Sequence, residues 1–264
     1  MPEFIRSNAY PWALTGIFAA VQLVLTVFPF SFAIGGGGFL TLGLVGAPII
    51  GFLLGPFFGT VSVVIGSFLG VMINVAAHPL AWFTPIAPAA GALVAGSLRV
   101  RKAIVAPILF IVGIAAFLAS PIALLALTFL WFHVIALVLA ILFMIPPLKS
   151  KLAEGLELSP DVGPAWGVLS IWMLCLIAVL ADQLIGSAIG AFYFLTVGLD
   201  VPTLAGIYTA VLLIYPIERV LASVIAAIIL VAVARFLAKT YFDLPTVPGG
   251  TRIQELTEAE IEQD

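Results

Sequence analysis

Residues 45–70 read VGAPIIGFLLGPFFGTVSVVIGSFLG, twenty-six positions without a charged side chain. Glycine recurs through the stretch and a Gly-Pro pair cuts it in the middle. Its length and apolarity place it in a bilayer, where the backbone must satisfy its own hydrogen bonds and helix is the only open-chain solution. The helix breakers therefore mark a turn. Small residues fall four apart in two runs, Ala47, Gly51, Gly55, Gly59 and then Ser62, Gly66, Gly70. A spacing of four stacks them on one helical face, and in lipid small faces bring helix backbones into van der Waals contact. Proline disfavours helix at the residue before it and starts a new helix well. Gly55-Pro56 thus predicts a tight turn between two closely packed antiparallel helices.

The whole chain has the same character. Of 264 residues, 63% are hydrophobic and 9% charged, with a mean hydropathy of +1.28. Soluble domains carry charge on about a quarter of their residues, so this chain lacks the polar surface of a water-soluble globule. The net charge of −3 says little about partners, because five acidic residues sit in the final ten, ELTEAEIEQD. That tail predicts a solvated, disordered end. No feature points to nucleic acid. The lone Cys175 excludes an internal disulfide and any multi-cysteine metal site, and reads as a small core residue. MPEFIRSNAY lacks the pattern of a cleaved signal, so the first spanning helix is expected to direct insertion.

Apolar segments run over 11–30, 39–54, 57–77, 84–98, 103–119, 121–145, 165–197 and 203–237. The fold class expected is an all-α, polytopic transmembrane helix bundle of about eight segments, or six to seven if a short one is re-entrant. With the N-terminus in the cytoplasm, Arg6, the RVRK loop (Arg99, Arg101, Lys102), Lys149 and Lys151, and Arg235 and Lys239 all fall inside. The loops then placed outside carry no Lys or Arg. The positive-inside rule is met, and both termini are expected to be cytoplasmic, in a plasma-membrane protein. Residues 146–164 form the largest cytoplasmic loop. They divide a front block of about six segments (1–145) from a back block (165–240), followed by the acidic tail (241–264). No internal repeat supports an inverted-repeat transporter.

The order of features resembles the substrate-binding S component of energy-coupling factor (ECF) transporters. A first helix, ALTGIFAAVQLVLTVFPF, leads to a glycine loop. FLTLGLVGAPIIGFLLGPFFGTVSVVIGSFLG is similar to that family's short second helix, its LxxGPxxG turn and its Gly-studded third helix. TPIAPAAGALVAGSL before RVRK is similar to its fourth segment, and IGAFYFLTVGLDVP with YPIERVLASVIAAIILVAVARFL resembles its last two helices. The likeness covers about 13–102 and 181–237, while 103–164 has no counterpart and would add a helical hairpin. The resemblance implies uptake of a vitamin-like micronutrient bound from outside, with a transmembrane coupling (T) subunit and ABC-type ATPases as separate chains. It further implies that a small-residue face on the first helix, Ala9, Ala13, Gly16 and Ala20, meets the coupling subunit. Packing inside the chain is the rival reading of that face. The MPEF start lacks the N-terminal Met-His site of the nickel and cobalt group.

Ionisable residues inside a membrane are functional candidates by default. At 1.5 Å per residue, Asn74 lies about 25 Å into its segment, and Asp182 and Gln183 lie about 25 Å into theirs. His78 falls at the outer mouth. Glu218 and Arg219 follow Tyr215-Pro216, where the true last helix would begin, with 204–214 as a lid-like or re-entrant piece. Asn74, His78, Asp182, Gln183, Glu218 and Arg219 thus come to one depth with Trp82 in the adjoining loop, a set suited to orienting a small solute. Blander roles remain open: a helix-end pair for Glu218 and Arg219, an interfacial anchor for Trp82, a solvated loop position for His78, and a structural pair of Asp182 with Arg219. His133 lies mid-segment, at a different depth from His78, which argues against a bis-His haem. There is no Walker A, His-Glu-x-x-His or Gly-x-Ser-x-Gly motif, so no catalytic residue, metal or cofactor is expected and the chain is not expected to be an enzyme. The main alternative is a structural subunit of another membrane complex without a ligand. A third is a stand-alone transporter using Asp182 as a proton site.

Overall fold

The computed structural model describes residues 9–27, 42–157, 164–237, 239 and 244–247. These residues are helical throughout their regular structure, with no strand among them. The helices are α1 (Ala9–Val27), α2 (Gly43–Ile73), α3 (Ile86–Arg99), α4 (Val105–Leu118), α5 (Trp131–Leu142), α6 (Pro146–Leu156), α7 (Pro164–Thr196), α8 (Val201–Ala210) and α9 (Ile214–Leu237). Short 3-10 turns at Val75–Ala77, Ala81–Phe83 and Leu127–Leu130 link them.

The glycine-rich stretch turns back on itself. Gly55 has φ +81° and ψ 179°, a conformation open in practice only to glycine. It splits α2 into halves 43–54 and 56–73. A methyl group on Gly59 would lie 2.8 Å from the Gly51 Cα, and methyl groups on Gly46 and on Gly66 would both overlap Gln22 of α1. On a straight helix those two glycines would stand about 30 Å apart. The halves therefore form a hairpin, and α1 lies across both arms. α3 joins at the same closeness: Gly51 has no room for a methyl against the Ala92 carbonyl, and Gly96 abuts Gly55 and Pro56. Between these backbones, buried polar side chains bind helix to helix. Gln22 Nε2 donates to the Gly43 carbonyl (3.3 Å) and to Ser67 Oγ (3.2 Å), and Ser62 Oγ donates to the Thr15 carbonyl (3.1 Å).

The outer surface is apolar. Ile17, Ile108, Ile228 and Phe236 are each more than half exposed, while the interior is filled by Phe52, Phe110, Phe117, Ile171 and Leu174. A surface this apolar belongs in lipid, and the protein is a multi-pass membrane protein. Among the described residues, five helices are long and apolar enough to cross a bilayer, with α2 taken as one run, and six if the pair formed by 127–142 and α6 counts as a single bent span.

The expected segment boundaries shift in several places. α4 has 14 residues, about 21 Å at helical rise and short of a hydrocarbon core of about 30 Å. Segment 121–145 begins in turns and reaches helix only at α5. Apolar composition marked both places without fixing helix length. The expected loop 146–164 opens with α6, bent by 92° from the helix before it. α6 is amphipathic, burying Leu152 and Leu156 and exposing Lys149 and Lys151, so apolarity alone does not reveal it. The last segment is divided, with α8 separate from α9. Gly35–Gly38, Arg6 and the acidic tail from 248 onward lie outside the described residues.

Charge is sorted along the bundle. The Gly55 turn, the end of α3, α6 and the end of α9 gather Arg99, Arg101, Lys102, Lys149, Lys151 and Arg235. Arg101 pairs with Glu157 there (2.6 Å). Residues 244–247 tie this end. Thr246 Oγ1 donates to the carbonyls of Phe52 and Leu53, and Arg99 donates to the carbonyls of Thr246 (3.1 Å from Nε) and Leu156 (3.2 Å).

Substitutions at two glycines test the hairpin. Gly55→Ala is expected to destabilise by about 1–3 kcal/mol, the cost of holding a side chain in that backbone region. Gly16→Ala, on an open stretch of α1 with nothing within 4 Å, should be neutral or stabilise by up to about 1 kcal/mol through helix propensity. Thermal unfolding in detergent micelles distinguishes them, and equal midpoints would rule out the turn as described.

Candidate functional site

At the end of the bundle away from the basic cluster, the helices line an open-mouthed chamber of about 450 Å3. Four long elements supply its polar side chains: Gln22 and Thr26 from α1, Ser67 from α2, Asp182, Gln183 and Ser187 from α7, and Glu218 and Arg219 from α9. His78 and Thr84 come from the 74–85 connection, and Tyr208 from α8.

Local sequence explains each placement. Gly91 lets α3 press onto α7, since a methyl there would meet the Ala178 carbonyl at 2.9 Å and Asp182 Cβ at 3.3 Å. That contact holds the Asp182 level of α7 against the bundle. Asp182, Gln183, Gly186 and Ser187 recur at helical spacing, so one face of α7 carries all four to the wall. α8 starts where Asp200 caps it: Thr203 N–H donates to Asp200 Oδ1 (2.8 Å) and Thr203 Oγ1 donates to Oδ2 (2.9 Å). Pro202 follows in the first turn, where it costs no hydrogen bond. α8 then presents Tyr208, whose hydroxyl donates to the Ser187 carbonyl (2.7 Å) across the small Gly190. Tyr215 at the start of α9 donates to the Phe129 carbonyl (2.8 Å).

Arg219 is the cation of the chamber. It interacts electrostatically with Asp182, Glu218 and Tyr215. A guanidinium away from water requires compensating charge, and α7 and the preceding residue of α9 provide it. Several polar atoms nevertheless lack partners. Gln22 Oε1, Thr84 Oγ1, Glu218 Oε1 and Arg219 Nε are buried without a hydrogen bond. Each such atom costs free energy unless an occupant or water meets it. The buried His78 imidazole is held below its ordinary value first by burial, with the Gly70 carbonyl pulling the other way, and so favours its neutral form.

Of the seven residues expected from sequence, the structure brings five to one chamber: His78, Asp182, Gln183, Glu218 and Arg219. Asn74 and Trp82 do not line it. Asn74 ends α2, where its N–H bonds the Gly70 carbonyl (3.3 Å) and its side chain is exposed. Trp82 is 55% exposed on a 3-10 turn, 6.0 Å from Phe68 by ring centroids. Helical rise gives a residue's height and not the side of the helix it occupies. Gln22, Thr26, Ser67, Thr84, Ser187, Tyr208 and Tyr215 are wall residues not anticipated. Gln22 carried a readable signal, a primary amide within ALTGIFAAVQLVLTVF; the hydroxyls did not, because Ser and Thr are common in membrane helices. His133 sits behind the wall, stacked on Tyr215 (5.5 Å, 14°). No group of three His, Cys, Asp or Glu residues is placed to hold a metal among the described residues.

Ala9, Ala13, Gly16 and Ala20 all lie exposed on α1. The face of α1 turned to the bundle carries Leu14, Thr15, Ala19, Gln22 and Thr26. No protein-family profile, no curated protein and no solved structure matches this chain.

Two outcomes are expected of the wall. Arg219→Met should destabilise the fold, because it removes the cation with which Asp182 and Glu218 interact. Adding Asp182→Asn to that variant should recover part of the loss, read by thermal unfolding. Separately, the Thr203 hydrogen bonds hold the Asp200 carboxyl below its ordinary value. A depressed carboxyl stabilises the fold above the unfolded value, near 4, and loses that contribution as pH falls through the folded value. Amide exchange in α8 should therefore quicken on acidification in the native chain. It should be fast at both pH values in Asp200→Ala, and slow exchange in that variant at neutral pH would refute the cap.

Proposed function

We propose that this chain is the substrate-capturing integral membrane subunit of an ECF-type uptake system, taking a small vitamin-like solute from outside the cell. The observation that carries the reading is the chamber itself. Its volume lies in the range of small-molecule sites, roughly 300–1,000 Å3, and polar side chains from α1, α7, α9 and the 74–85 connection line it.

Orientation follows from charge. The end holding Arg99, Arg101, Lys102, Lys149 and Lys151 is assigned to the cytoplasm of a plasma-membrane protein by the positive-inside rule, with both termini on that side. The chamber then faces the outside. The exposed stripe of Ala9, Ala13, Gly16 and Ala20 supports a close helix contact with a transmembrane coupling subunit, and ABC-type ATPases on separate chains would supply the energy. The same stripe would serve a structural subunit of another complex. That reading leaves the polar lining of the chamber without a purpose.

Gentle purification from the native membrane followed by mass spectrometry tests the assignment. The expected result is a coupling subunit with ABC-type ATPases, and a small molecule released on denaturation that is absent from Asp182→Ala expressed at the same level. Recovery with unrelated membrane subunits and no small molecule would support the structural-subunit reading instead.

A further inference from the structure

Between Ala103 and Leu148 the chain carries no Asp, Glu, Lys or Arg, and basic residues flank the stretch, Arg101 and Lys102 before it, Lys149 and Lys151 after it. It folds as α4, a turn over 119–130 and α5, so both feet of this hairpin stand at the basic end of the bundle. A full crossing by each arm would set the turn in water at the other end. The turn is not built for water. ASPIALLALTFL offers two hydroxyls and no charge, amide or glycine. Leu124 is 91% exposed, and Leu125 and Leu127 are each more than half exposed. A contiguous apolar patch of this kind marks a surface that something apolar covers.

Heights along the bundle account for it. Gly113 of α4 lies against α7, where an added methyl would meet the Leu184 and Ile185 side chains at 2.8 and 3.2 Å. From that level α7 climbs about 18 Å further to Thr196, whereas α4 climbs about 7 Å to Leu118 and stops. The turn therefore begins about 10 Å short of the end of α7. α8 is held at a similar level. The Tyr208 hydroxyl donates to the Ser187 carbonyl, about 13 Å before Thr196 along α7. Trp131 Nε1, at the start of α5, donates to the Leu212 carbonyl (3.5 Å), which joins the turn to the α8–α9 junction, where Leu213 is 72% exposed. The turn and that junction make one apolar shelf, set below the top of α7.

The shelf continues the lipid-facing flank of the bundle. Ile108, Ile111 and Val112 of α4, each more than half exposed, lead up to it. The turn also closes bonds of its own. Ala123 N–H donates to the Ser120 carbonyl (3.1 Å), and the N–H groups of Leu125 and Ala126 donate to the Ile122 carbonyl (3.0 and 2.9 Å). Backbone at membrane depth needs such internal partners. We infer that α4 and α5 form a re-entrant hairpin whose turn stays within the bilayer, and that acyl chains of the far leaflet lie over Leu124, Leu125, Leu127 and Leu213. Lipid on this side of the bundle sits lower than lipid beside the upper turns of α7.

Spin labels on the full chain in phosphatidylcholine nanodiscs test the shelf. Cys175 is fully buried, so Leu124→Cys can be labelled with the unsubstituted chain as background. Oxygen concentrates in hydrocarbon, and a nickel chelate stays in water. The label at Leu124→Cys should be relaxed more by oxygen than by the chelate, as at Ile108→Cys on the flank of α4. Asn74→Cys, at the exposed end of α2, should show the reverse. Leu213→Cys is expected to follow Leu124→Cys and takes its place if that variant fails to fold, each being checked first for a native circular dichroism spectrum. Relaxation mainly by the chelate at either position overturns the inference, because the shelf then stands in water. Access by neither reagent overturns it as well, because protein then covers the shelf, and spin–spin broadening would identify that cover as a second copy of the chain.

Discussion

Arg219 sets the terms for one end of this protein. A guanidinium within an apolar bundle cannot be left to lipid, and hydrocarbon offers no counterion. α7 must therefore stand where Asp182 can answer it, and Glu218 must enter the bundle at the start of α9. Once those helices are fixed, Ser187 is in place to receive the Tyr208 hydroxyl, and the Tyr215 hydroxyl reaches Phe129. The chamber is the space left when three charges and their aromatic neighbours are packed without enough partners to fill every valence. Its polarity and its volume have the same origin.

The other end follows a different rule. Around Gly55, packing is set by how closely backbones approach, and side chains are removed to allow it. Gly51 against Ala92, Gly59 against Gly51 and Gly96 against Pro56 leave no room for a methyl group. Such contacts gain dispersion energy at low entropic cost, which is the main driving force available where water is absent. The bundle is therefore tight at the basic end and hollow at the other, and α1 runs the length between them, joined by Ser62 below and by Gln22 above.

Much of this was legible in residues 45–70. Small residues four apart on either side of Gly-Pro imply two faces meeting at a turn, and the contact of Gly51 with Gly59 is that meeting. The gathering of ionisable residues at one height was legible too, since helical rise converts position into depth. What depth cannot supply is direction around the helix axis. Asn74 and Asp182 share a height, and only the second is turned inward. Segment boundaries were hard to read for a related reason: hydropathy records that 103–119 and 121–145 avoid water, and says nothing about whether they run straight. α6 escaped notice because its two faces cancel in an average, Leu152 and Leu156 inward against Lys149 and Lys151 outward. The polar wall residues that went unseen are uncharged, and a search for ionisable groups passes over Gln22.

The strap at Thr246 has a consequence in time. Arg99 is separated from the Thr246 carbonyl by 147 residues, and the Phe52 carbonyl from the Thr246 hydroxyl by 194. A chain made from its N-terminus exposes Arg99 long before its acceptor exists, by roughly 7–30 s at synthesis rates of about 5–20 residues per second. During that interval the guanidinium, the carbonyls of Phe52 and Leu53 and the Gly55 turn have only water and headgroups to satisfy them. The strap is thus the final stitch of assembly, made after every crossing has been committed.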